Sequence, residues 1–93
     1  MHLILYSKPG CHLCEGLQEK LEQIQSIPLE LEIRDITTRD DWFQAYQYEI
    51  PVLFMVRSDT LIPLPRSSPR ASVRQIEQML RKYLDTNSEN DAQ

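Results

Sequence analysis

The chain holds two cysteines, and they stand three positions apart in Cys11-His12-Leu13-Cys14. Cysteines so close cannot staple distant parts of a fold. In a reducing compartment a lone C-x-x-C is read as reactive rather than structural. The chemistry it offers is thiol–disulfide exchange: Cys11 attacks a disulfide as the nucleophile and Cys14 resolves the product. Two plainer uses stand beside this one. The pair can serve as small buried apolar residues, or it can ligate zinc. Zinc needs four ligands, and beyond the cysteines the chain supplies two histidines, His2 and His12. One sits inside the motif and the other opens the first strand, which argues against a closed tetrahedral site within one chain.

The elements around the motif decide what it can do. Leu3-Ile4-Leu5-Tyr6 is a short apolar run that reads as a strand buried on both faces, ending at the turn formers Ser7-Lys8-Pro9-Gly10. Leu13, Leu17, Leu21 and Ile24 then recur at helical spacing. The pattern predicts an amphipathic helix from about Cys11 to Gln25, stopped before Pro28. Leu29, Leu31 and Ile33 alternate with Glu30, Glu32 and Arg34 as in a half-buried strand. Thr38 followed by Asp41 predicts a capped short helix over Arg39 to about Gln47, with Trp42, Phe43 and Tyr46 as its apolar contacts.

Pro51-Val52-Leu53-Phe54-Met55-Val56 is the most apolar stretch and the best central strand. Arg57-Ser58-Asp59-Thr60 reads as a hairpin turn into Leu61-Ile62-Pro63-Leu64, whose Pro63, with Pro65 beyond it, suits a sheet edge. Ser72 and Gln75 fit a capping box ahead of a last helix carrying Val73, Ile76, Leu80, Tyr83 and Leu84. The order β-α-β-α-β-β-α makes the first two strands parallel across a right-handed crossover and the last two an antiparallel hairpin. The class is α/β: a four-stranded mixed sheet flanked by three helices, in one domain over residues 1–85, with 86–93 a disordered polar tail.

In that order Cys11 falls where a loop enters a helix. Unpaired N–H groups and the helix dipole favour an anion there, so the Cys11 thiol is expected to ionise below its free pKa of about 8.5. Cys14, one turn further in, is expected to lie deeper. Lys8 and His12 are candidate stabilisers of the thiolate, though each is equally at home as a solvated surface residue.

A formal net charge of −4 argues against nucleic acid or an anionic membrane as the main partner. The apolar start at Met1 is too short for a leader or a spanning helix, so a cytoplasmic location is expected, as a monomer.

Taken together, the helix-opening C-x-x-C, the element order and the Ile50-Pro51 junction before an apolar strand resemble the glutaredoxin branch of the thioredoxin superfamily, from Leu3 to about Leu84. The resemblance implies a cis Pro51 against the cysteines, and an Ile50 backbone left free to bond an extended substrate. Lys8 matches a lysine common before the family's motif. Three departures stand out. His-Leu replaces the usual Pro-Tyr between the cysteines. Glu49 stands where Thr is usual, two before the proline. The Gly-Gly and acidic residue that help hold glutathione are absent, and Pro65-Arg66-Ser67-Ser68-Pro69-Arg70 takes their place. Arg66, Ser67 and Arg70 are therefore candidate substrate-binding residues, with Arg66, Arg70 and Arg74 around the start of the last helix.

The expected activity is thiol–disulfide oxidoreduction on protein or glutathione mixed disulfides. No tightly bound cofactor or metal is expected, glutathione is a candidate co-substrate, and glutathione or a thioredoxin-type reductase is the expected recycling partner. Two other readings stand beside it: a redox-inactive binding or regulatory module, and an iron–sulfur or metal-handling protein that uses Cys11.

Overall fold

A computed structural model describes the backbone of residues 1–92 and the side chains of residues 1–84. Its elements are β1 (His2–Ser7), α1 (His12–Glu22), β2 (Glu30–Asp35), α2 (Asp40–Tyr46), β3 (Val52–Arg57), β4 (Thr60–Pro63) and α3 (Val73–Ala92), with a short 3₁₀ turn over Ile36–Thr38. The sheet runs β2-β1-β3-β4. β1 and β2 are parallel, whereas β1–β3 and β3–β4 are antiparallel. The α/β class, the mixed sheet and its three helices are those expected.

The centre of the sheet explains why Leu3-Ile4-Leu5-Tyr6 is apolar without alternation. Leu3 and Leu5 face one core, with Leu21, Ile24, Met55, Ile76 and Leu80 of the flanking segments. Ile4 and Tyr6 face the other, with Ile36 and the aromatic residues of α2. All four side chains are buried, each contributing about 1.5–3 kcal/mol of burial free energy. On the α2 side Tyr6 stacks 4.4 Å from Tyr46 and meets Trp42 and Phe54 edge-on at 5.7 Å. Its hydroxyl accepts a 2.9 Å bond from Arg34 Nη1. Tyr48, by contrast, is 92% exposed.

Local chemistry sets several boundaries. Ser58 and Asp59 both have positive φ, 48° and 66°, the conformation a tight hairpin needs at its two central residues. At the head of α3, Gln75 N–H donates to Ser72 Oγ and Ser72 N–H donates to Gln75 Oε1, at 3.1 and 2.8 Å. This is the reciprocal capping box that the sequence predicts.

Four expectations need adjustment. Thr38 does not cap α2: it closes the 3₁₀ turn, its hydroxyl donating to the Asp35 carbonyl at 2.7 Å. Asp35 is the residue that caps that turn, through Thr37, and Arg39 precedes α2 without a side-chain cap. Ile33 is exposed, at the rim of a cleft it shares with Ser7 and Asp35. Helix α1 ends at Glu22 rather than Gln25. Helix α3 continues past Leu84, where the apolar pattern stops, to Ala92; the expected tail at 86–93 lies outside the residues whose side chains are described.

Among the described residues no helix is long and apolar enough to cross a membrane.

Candidate functional site

Strand register assembles the site. Tyr6 pairs with Val52 across the antiparallel β1–β3 ladder. The loop leaving β1 and the Pro51 junction entering β3 therefore emerge at the same end of the sheet. The same end receives Asp35, paired in parallel register with Ser7.

Within the loop, Gly10 takes φ +81°, a left-handed conformation that costs other residues free energy. Cys11 follows in extended conformation (φ −86°, ψ 101°) as the N-cap of α1. Its N–H donates to the Lys8 carbonyl at 3.2 Å, and its carbonyl accepts from Glu15 N–H at 3.0 Å. The Cys14 N–H donates to Cys11 Sγ at 3.2 Å. The sulfur thus occupies the place that a Ser or Asp oxygen fills at an ordinary N-cap, which favours its thiolate. The two cysteines lie at disulfide distance, with Cα atoms 5.3 Å apart. Cys14 is 2% exposed, whereas Cys11 is half-buried.

The two candidate stabilisers sit differently. The His12 side chain is 94% exposed, with Nδ1 3.7 Å from Glu15 Oε2. Lys8 offers the loop its carbonyl, while its side chain is exposed and has no partner among the described residues. Lys8 also lines a cleft of about 260 Å³ that reaches Cys14 between Ser7, Glu15 and Asp35. Hydrogen bonds from the Thr37 hydroxyl and N–H hold the Asp35 carboxyl below its usual range, so this cleft keeps an ionised acid near neutral pH.

On the other face of α1 lies a groove. One half, about 230 Å³, is lined by His12, Leu13, Leu17, Lys20, Pro51, Arg66, Ser67 and Ile76, among others. A second half of about 200 Å³ shares Leu17, Pro51, Arg66 and Ser67 and continues to Glu49 and Leu64. The Ile50–Pro51 peptide bond is cis.

Arg66 Nη2 donates to the Glu49 carbonyl and lies 3.9 Å from Glu49 Oε2. Lys20 Nζ donates to the Pro69 carbonyl at 2.9 Å, tying the loop before α3 to α1. Among the described residues no group of three or more His, Cys, Asp or Glu side chains is placed to hold a metal ion.

Arg66, Ser67 and Pro51 therefore come together beside α1, as the sequence suggests, whereas Arg70 stays exposed and outside the groove lining. Its N–H donates to Ser68 Oγ. At the start of α3 the capping box occupies the amides of Ser72 and Gln75. The Ile50 N–H is not free: it donates to the Tyr46 carbonyl at 3.1 Å, satisfying an end group of α2. The Ile50 carbonyl has no partner among the described residues.

Leu13, Leu17, Lys20 and Ile76 of the groove were not singled out as functional from sequence. Leu13 follows the helical stripe yet is 54% exposed. Lys20 and Ile76 join the groove from positions where the sequence carries only the signs of ordinary helix residues.

A family model described as a glutaredoxin-like domain (DUF836) matches residues 2–81. Among solved structures, thioredoxin 1 from the thermophilic eubacterium Thermosipho africanus TCF52B aligns with a TM-score of 0.66 at 14% identity, over 95% of this chain and 99% of its own. That likeness is one of fold. No curated protein sequence matches.

Proposed function

The chain belongs to the glutaredoxin-like domain family, and from that premise we propose that it is a thiol–disulfide oxidoreductase acting through Cys11 and Cys14. The observation that carries this reading is the Cys14 N–H aimed at Cys11 Sγ from 3.2 Å at the head of α1. A sulfur held there is disposed to be a thiolate at neutral pH.

Cys11 Sγ attacks one sulfur of the substrate disulfide. A mixed disulfide forms, and the other substrate sulfur leaves as a thiolate. Cys14, losing its proton, then attacks Cys11 Sγ, so that the Cys11–Cys14 disulfide closes and the second substrate sulfur leaves. Two electrons have passed from the dithiol to the substrate. Glutathione or a thioredoxin-type reductase returns them, with no tightly bound cofactor. The substrate lies in the groove along Pro51, where the unpartnered Ile50 carbonyl accepts a backbone N–H and Arg66 and Ser67 line its path. The protein does this work as a monomer in the reducing cytoplasm.

A redox titration in glutathione buffers, read by alkylation and intact mass, tests the reading. The expected result is a two-electron Cys11–Cys14 transition, roughly between −270 and −200 mV. A one-glutathione adduct on Cys11 along the way identifies glutathione as a co-substrate. Thiols that stay reduced and unmodified over the whole range would overturn the proposal in favour of a binding module.

A further inference from the structure

Arg66 stands where the two halves of the groove meet, since both include it. Along α1 the groove passes Lys20; past Arg66 it reaches Glu49. Its length therefore carries a change of sign, cationic beside α1 and anionic at Glu49, in a chain whose formal net charge is −4. At about 230 and 200 Å³, each half falls below the roughly 300 Å³ of the smallest usual ligand pockets. They share Leu17, Pro51, Arg66 and Ser67, so they adjoin past Pro51 as one elongated channel. A channel of that form suits an extended polypeptide.

Both of Arg66's contacts with Glu49 use Nη2, one to the backbone carbonyl and one, at 3.9 Å, to the carboxylate. Nε and Nη1 have no partner among the described residues. The Arg66 and Glu49 side chains are 60% and 65% exposed, so water screens their attraction and the carboxylate contact is weak. A carboxylate lying inside the groove, against Pro51 and Leu17, is better shielded. It can also meet the free edge of the guanidinium with two charge-assisted hydrogen bonds. The bond to the Glu49 carbonyl can persist through this exchange and keeps Arg66 in place.

We propose that Arg66 is the specificity-determining residue of the groove, exchanging the Glu49 carboxylate for an acidic side chain next to the cysteine of a polypeptide disulfide. The inference rests on the oxidoreductase reading. Glu49 tempers that preference: its carboxylate competes with the incoming acid for Arg66 and repels an acid at its own end of the channel.

Binding and turnover test it separately. Extended peptides that differ only in Glu, Gln or Lys beside the cysteine position are titrated by calorimetry with Ser in place of Cys. They are also assayed for turnover as mixed disulfides. The Glu peptide is expected to bind roughly fivefold tighter than the Gln peptide. Arg66→Gln should erase that preference, Arg66→Lys should keep part of it, and Glu49→Gln should widen it. In turnover the Arg66→Gln loss on the Glu peptide should fall in KM. Equal binding of the Glu and Gln peptides, or a preference that survives Arg66→Gln, overturns the proposal. So does an Arg66 dependence confined to glutathione mixed disulfide, which would make the occupant a small thiol. Charge-selective binding without any turnover would uphold Arg66's role and sink the oxidoreductase reading alone.

Discussion

The Cys14 N–H points at Cys11 Sγ from 3.2 Å, so the residue assigned to resolve the mixed disulfide also holds the attacking sulfur through its backbone. The two roles use different atoms of Cys14. Its amide belongs to the first turn of α1, while its thiol is buried. Removing the Cys14 side chain therefore leaves the N–H in place.

From this follows a division between two variants. Cys11→Ser should abolish disulfide reduction. Cys14→Ser should keep a Cys11 thiolate that titrates below the free value of about 8.5 and should accumulate mixed disulfides with substrate. Ultraviolet thiolate absorbance against pH reads the first property, and intact mass after substrate addition reads the second. Full reductase activity in Cys11→Ser would reverse the assignment.

Along the leucine stripe of α1 exposure falls from 54% at Leu13 to 1% at Leu21. Leu21→Ala should cost about 2–5 kcal/mol, as for a truncated core leucine. Leu13→Ala should change stability by no more than about 0.5 kcal/mol while weakening substrate binding through the groove. Denaturant titration separates the two positions, and KM in the reductase assay reads the second effect.

The two glycines should respond to Ala in opposite directions. Gly10 has open space around it but sits at φ +81°, so Gly10→Ala should destabilise by about 1 kcal/mol or more. Gly16 is helical, with nothing within 4 Å of an added Cβ, and Gly16→Ala should stabilise by about 0.5–1 kcal/mol. Thermal or chemical unfolding of both variants gives the comparison.

Glu32 gives a pH dependence of defined sign. A hydrogen bond from Arg34, outweighing the effect of burial, holds its carboxyl below the ordinary glutamate value. A carboxyl with a depressed folded pKa adds stability above its unfolded pKa of about 4.3. That addition disappears as pH falls through the lower folded value. Wild type should therefore exceed Glu32→Gln in stability near neutral pH, with the gap closing in acid. Denaturant midpoints measured from neutral pH down to about pH 2 check this, and a gap that widens in acid would contradict the assigned direction.

Sequence alone was enough for the order of the elements and for contacts held within one turn. Periodicity, a run of turn formers and a reciprocal cap depend on neighbours a few positions apart. The apolar β1, the C-x-x-C opening α1, the Ser58-Asp59 turn and the Ser72–Gln75 box were legible for that reason. What the tertiary structure decided is which distant groups meet and which side of each is left open. Arg66 reaches Glu49 and Lys20 reaches Pro69 across 17 and 49 positions, and those contacts depend on how the loop before α3 returns over α1. The same path turns Arg70 away from the groove. Leu13 shows the limit from the other direction: its spacing marks a buried stripe, yet its side chain is 54% exposed and lines the groove, while Cys14 in the same turn is buried. Helical spacing fixes the face on which a side chain lies; only the packed neighbours fix whether that face is buried.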